Sequence, residues 1–310
     1  MIGTRNVGLA LLAALLPLSA AGAPLRRASG PREYSCPIFP AGNPINQEIT
    51  RAPVDPRSSE YIASIGAGGH LHPDFGTNPS YGIPYTVVGR AQPRVPITFT
   101  EYGEESNAGP YPVPADAPVE GAGEEGDRHV LVLQTGACRL YELYNARRAG
   151  SGWDAGSGAV FNLASNALRP EGFTSADAAG LPIFPLLARY PEVHAGQIDH
   201  ALRVTVQRTQ RGYVHPATHF ASSSSDPDLP PMGLRLRLRA GFSLAGFHGE
   251  SLVVLRALKR YGLIVADNGS SWYITGAPDP RWNDQDLEQL KRVPGSAFQA
   301  VETGPILHHS

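Results

Sequence analysis

Residues 233–240 read GLRLRLRA. Side chains on a strand alternate between its faces, so Leu234, Leu236 and Leu238 share one side and Arg235, Arg237 and Arg239 the other. A helix would scatter the leucines around its circumference. The stretch predicts a strand whose leucine face meets a core. Its arginine row is read as a solvated sheet face, or as a surface for an anionic polymer such as a uronate polysaccharide.

The same alternation recurs on either side. Residues 200–207 set Ala201, Arg203 and Thr205 against Leu202, Val204 and Val206. Residues 96–102 alternate around Ile97 and Phe99, and 159–163 read as a short strand. Segments 128–133 and 139–144 flank Thr135-Gly136-Ala137, which predicts a hairpin. Segments 263–266 and 272–275 flank Asp267-Asn268-Gly269-Ser270, whose Asn-Gly pair predicts a second hairpin. Helical spacing is confined to 56–65, 251–261 and 284–292, with a brief helix opening at Ser175. The 34 Gly and 29 Pro, about a fifth of 310 residues, suit short elements joined by turns and argue against a helical bundle. The expected fold is mainly β: a single-domain, jelly-roll-like antiparallel β-sandwich with a few short decorating helices.

Residues 1–23 read as a signal peptide, with Arg5 before an apolar run from Val7 to Leu18 and small residues from Ser19 to Ala23. The run is short of the roughly 20 residues that span a bilayer. Residues 24–35 read as a flexible leader, 36–303 as one β-rich domain and 304–310 as a tail. The two cysteines, Cys36 and Cys138, suggest one disulfide in an oxidising compartment. Closing so long a loop stabilises by about 4 kcal/mol in the chain-entropy model. A net charge of −2 lacks the footprint of a non-specific nucleic-acid binder. These features predict an exported monomer, extracellular or periplasmic, with neither nucleic acid nor membrane as partner.

Six polar stretches stand out. His70, His72 and Asp74 alternate on one side of an extended segment, as a metal site or acid/base cluster requires, although Pro73 favours a loop. His129 follows Asp127 at a strand entry, where a carboxylate can orient it for proton transfer or simply form a salt bridge. Asp177 either caps a short helix or projects into a cleft as an acid or base. His200 starts a strand beside Asp199. Tyr213, His215 and His219 surround Pro216, which breaks the helix that a His-x3-His metal pair would need, leaving His219 as an acid/base candidate. Asp267 ends a strand near Trp272 and Tyr273, as carboxylates do beside stacking rings in carbohydrate sites. Residues 104–126, rich in Pro, Gly and acids, read as a long surface loop rimming a site. There is no GxSxG, GxxxxGK[ST] or HExxH.

HPDFG (72–76), GPYPVP (109–114), GDRHVL (126–131), SNALRPEGFTSADAAGLPI (165–183), HALRVT (200–205), PPMGLRLRL (230–238) and YGLIVADNGSSWYI (261–274) resemble a family of uncharacterised secreted bacterial and fungal proteins. The resemblance covers about residues 36–300. It implies secretion and a single domain, and it carries over no catalytic residue.

The expected function is cleavage of an extracellular polysaccharide, as a glycoside hydrolase or polysaccharide lyase. A hydrolase needs two carboxylates, for which Asp74, Asp177, Glu142 and Asp267 are candidates, and a lyase needs a base and a cation facing a uronate, for which His200, His219, Tyr213 and Arg235 fit by residue type. Asp74, Asp177, His200, His219 and Asp267 are the catalytic candidates. His72, His129, Tyr213, Arg235 and Trp272 are the substrate-binding candidates. This reading requires no metal and no cofactor. The alternatives are a non-catalytic glycan binder, with Trp153, Trp272 and Trp282 as its platform, and a metal-dependent hydrolase using His70, His72 and Asp74.

Overall fold

The structure, a computed structural model, describes residues 1–3, 30–123 and 126–309. Residues 4–23 of the expected signal peptide and 24–29 of the expected leader fall outside that range. Among the described residues no helix is long and apolar enough to cross a membrane.

The chain is mainly β, with several sheets and few short helices. The largest sheet has six strands in the order Phe298–Val301, Arg235–Leu238, Leu263–Asn268, Leu202–Val206, Tyr273–Thr275 and His72–Asp74. A four-stranded sheet runs Ser157–Asn162, Arg139–Tyr144, Val130–Gln134 and Tyr85–Val88. A three-stranded sheet joins Ile97–Phe99, Gly152–Ala155 and Arg147–Ala149. The expectation of purely antiparallel sheets is corrected, because each of these three contains a parallel pair. The hairpin over 130–144 forms as expected. The second hairpin does not, since the Leu202–Val206 strand lies between Leu263–Asn268 and Tyr273–Thr275. The Asn-Gly turn therefore carries the chain over the end of an inserted strand.

The Val130–Gln134 strand, VLVLQ, is buried on both faces, which its unbroken apolar run permits. Leu131 and Leu133 join Leu140 and Phe161 in the main core with Leu202, Val204 and Leu236. Val130 and Val132 join Tyr141, Leu143 and Trp153 in a smaller core under the three-stranded sheet. Cys36 and Cys138 are disulfide-bonded across 102 residues, tying the N-terminal segment to the hairpin turn. Residues 32–37, expected partly in a flexible leader, form a small antiparallel pair. The expected tail also packs, since Leu307 exchanges backbone hydrogen bonds with Tyr213.

The arginine row of GLRLRLRA is the largest surprise. Leu234, Leu236 and Leu238 are in the core, but Arg235 and Arg237 are buried too. The turn-rich segment over 44–52 covers that face. Arg235 donates to the carbonyls of Pro44 (2.6 Å), Gln47 (3.2 Å) and Tyr261 (2.7 Å). Arg237 donates to Ile49 and Ala52. An irregular segment laid on a sheet lacks ladder partners for its carbonyls, and the guanidinium forks supply them. Arg235 thus binds the chain itself in place of an anionic polymer. Arg235→Met should cost about 2–3 kcal/mol by leaving these acceptors unpaired. Urea denaturation would measure the loss, and an unchanged midpoint would refute this role.

Candidate functional site

The site is built where three strands and one loop meet. Arg203 sits in the Leu202–Val206 strand, between the strands that bear Asp267 and Thr275. The parallel register pairs Val204 with Val265 but Thr205 with Asp267, so Ala266 forms a bulge. Paired residues on parallel strands point the same way. Without the extra residue Asp267 would pair with Val206 and face away from Arg203. The bulge turns it onto the Arg203 face, a re-aiming for which bulges are used near active sites.

The loop over 165–183 supplies Asp177. The expected helix at Ser175 is absent. Ser175 Oγ accepts from the Asp177 amide (2.9 Å), and Ser157 Oγ donates to the Ser175 carbonyl (2.6 Å). Gly180 closes the loop at φ +72, and a Cβ there would lie 2.2 Å from Thr218 Oγ1. Asp177 caps nothing. Its fully buried carboxylate accepts from Arg203 Nε and Nη2, each at 2.8 Å. Arg203 Nη1 donates to Thr275 Oγ1 (3.0 Å), and Nη2 also donates to Asp267 Oδ2 (3.0 Å).

Above this pair opens a cleft of about 180 Å³, lined by Tyr102, Asp127, Tyr144, Asp177, His219 and Asp267 among others. Asp267 is 19% exposed and accepts at Oδ1 from the Asn268 amide (2.7 Å). Burial, then the Asp177 charge, push it well above the usual carboxylate range against the pull of Arg203. Asp127 is exposed in the same cleft. His219 Nδ1 donates to the Ala178 carbonyl (2.7 Å), which in the neutral ring leaves Nε2 as the acceptor.

Beneath the loop, buried His129 meets an acceptor at each nitrogen: Glu120 Oε2 at Nδ1 (2.6 Å) and the Ala176 carbonyl at Nε2 (2.8 Å). Burial alone would lower its pKa, but the Glu120 charge overrides it and lifts the ring to about 9. The imidazolium then donates twice. Glu142, wholly buried, accepts from the amides of Ile183 (2.9 Å) and Phe184 (2.9 Å). Burial outweighs those bonds and pushes it up to about 7. A folded value above the reference 4.5 means this group's stabilisation is complete below about 4.5 and is lost as pH rises through about 7. Glu142→Gln keeps an acceptor and removes the titration. Thermal melts at about pH 5 and pH 7.5 should therefore show a smaller drop for the variant than for the parent, and equal drops would refute the assignment.

Asp177, His219 and Asp267 thus come together, with His129 behind the loop. Asp74 lies on the edge strand. Burial and then Glu120 raise its pKa against the pull of Arg203. His200 is elsewhere, buried at 3.0 Å from Arg189 Nη2 and 3.2 Å from Glu192 Oε2. His72 stacks on Tyr273 at 4.0 Å between centroids, outside the cleft lining. Tyr213 is buried with its hydroxyl on Glu171. Trp272 is buried against Phe298 and donates to the Gly66 carbonyl (2.8 Å). Trp153, Trp272 and Trp282 are all buried, so they form no exposed platform. Among the described residues no three His, Cys, Asp or Glu side chains are arranged to hold a metal ion, His70, His72 and Asp74 included.

Sequence reasoning missed Arg203, Tyr102 and Tyr144, and took Asp127 only as a partner for His129. One signal was available for Arg203: a guanidinium among apolar neighbours in ALRVTV needs a buried anion. Compared with known proteins, the chain matches no family model, no curated protein and no solved structure.

Proposed function

We propose that the protein is a secreted glycoside hydrolase that cleaves an extracellular polysaccharide. One observation carries this reading: a mostly buried carboxyl held above the usual carboxylate range, Asp267, shares a cleft with an exposed carboxylate, Asp127. Glycosidic cleavage requires two carboxyl groups facing one cleft, one of them able to donate a proton. In this reading Asp267 gives its proton to the glycosidic oxygen as the C–O bond breaks. Asp127 takes a proton from the water whose oxygen bonds to the anomeric carbon. Solvent exchange restores both groups. Asp177 does not touch substrate, and with Arg203 it positions Asp267. Tyr102 and Tyr144 offer rings for the sugar faces.

The lyase arm is less well supported. Each nitrogen of the Arg203 guanidinium already donates within the protein, leaving it unable to neutralise a uronate at the reacting carbon. The buried tryptophans likewise speak against a flat binding module. Export is supported by the disulfide, which fits an oxidising compartment.

The test is a product screen. The purified protein is incubated with neutral and uronic-acid polysaccharides while reducing ends and the absorbance of unsaturated uronates are followed together. New reducing ends without the absorbance are expected. The absorbance would replace the hydrolase with a lyase. Silence in both channels, with retention on one polymer in a pull-down, would replace it with a binding protein.

A further inference from the structure

The cleft continues past Asn268. A second depression of about 360 Å³ shares Ala221 and Asn268 with it, so the two form one groove. Its remaining walls include Gln207, Arg208, Thr209, Ser222 and Ser224. This wall is the direct continuation of the strand that holds Arg203. Its position is pinned: the Gln207 amide donates to Ser271 Oγ (3.2 Å) and Thr209 Oγ1 donates to Asn268 Oδ1 (3.2 Å).

Arg208 is the single charged side chain in that lining, and it is exposed. Among the described residues its guanidinium has no hydrogen bond, ion pair or ring contact, unlike Arg203, Arg57 or Arg211 nearby in the chain or fold. The groove therefore has two electrical halves. The exposed Asp127 carboxylate makes one end acidic, and Arg208 makes the other basic. An anionic sugar seated against Asp127 would be repelled, whereas the same group one residue along would meet a free planar fork that matches carboxylate or sulfate oxygens. Ser222, Ser224 and Gln207 are neutral partners suited to hydroxyls.

We propose that this depression is the adjoining subsite for an anionic sugar residue, whose carboxylate or sulfate pairs with Arg208. The proposal rests on the reading of the first cleft as a glycan-cleaving site, and it narrows the substrate class to acidic polysaccharide.

Binding is measured by calorimetry on the full chain carrying Asp267→Asn, so that turnover is too slow to interfere, with and without Arg208→Gln. Three probes are used: an oligosaccharide alternating a neutral sugar with a uronate, its carboxyl-reduced form, and a neutral-backbone oligosaccharide bearing sulfate. Arg208→Gln should weaken the preferred anionic probe about tenfold to a hundredfold and leave the carboxyl-reduced probe unchanged. Added salt should weaken anionic binding in the parent and have little effect in the variant. The stronger of the two anionic probes identifies carboxylate or sulfate as the natural group. Equal binding by parent and variant, preference for the carboxyl-reduced probe, or no binding of any probe would each overturn the proposal. Because binding is read without cleavage, Arg208-dependent binding together with a silent product screen would sink the hydrolase and keep the subsite.

Discussion

Asp267→Asn is expected to lower polysaccharide turnover by about 10²–10⁴-fold with little change in KM. The argument starts from the bulge at Ala266, which puts Asp267 on the face of Arg203 and Asp177. There the carboxyl is mostly removed from water and lies near a fully buried Asp177 charge. Both effects favour the protonated acid, and Arg203 opposes them only in part because it is already shared with Asp177. Such a carboxyl holds its proton to a higher pH than an ordinary carboxylate. Activity should fall as pH rises through the elevated value of Asp267. The amide cannot donate a proton to a leaving oxygen. It keeps only one of the two acceptor contacts, to Arg203 or to the Asn268 amide, so about 1 kcal/mol of stability goes with it. Circular dichroism separates that small loss from the catalytic one. A variant retaining more than about a fifth of the parent rate would remove Asp267 from the acid role.

Local patterning made most strands legible, but their neighbours were not. GLRLRLRA reads as a strand and is one. What the pattern could not reveal is that the segment over 44–52 covers the arginines, because nothing local distinguishes a solvated arginine from one that binds distant carbonyls. The turn after Asp267 shows the same limit. Asn-Gly favours reversal of the chain, yet the strand from 202 to 206 takes the place between the two arms. That insertion is a long-range event, and it creates the site by seating Arg203 between Asp267 and Thr275. Asp177, His219 and Asp267 were legible as polar residues in unusual settings. His200, Tyr213 and Trp272 looked similar on paper but were drawn inside by Glu192, Glu171 and Phe298. Residue type marks a candidate, and tertiary pairing decides whether it meets solvent or another side chain.

The second large effect is on stability. Arg203→Met should cost about 3–5 kcal/mol, because a buried pair that loses one member leaves an uncompensated charge. Asp177 has no other donor to its carboxylate among the described residues, and its side chain is fully buried. Arg203 also answers part of the charge on Asp267, Glu120 and Asp74, so its loss raises the energy of four acids at once. Methionine fills a similar length of apolar space and supplies no donor. The coupling can be separated from the loss of packing by a second substitution. Asp177→Leu alone leaves Arg203 holding only Asp267 and Thr275, and should also destabilise. The double variant Arg203→Met with Asp177→Leu removes both charges together, and should be less destabilised than the sum of the single variants by about 1–3 kcal/mol. Chemical denaturation of the four proteins closes the cycle. Strict additivity would show that the two side chains stabilise the fold independently, and Asp267 would then owe its position to the bulge alone.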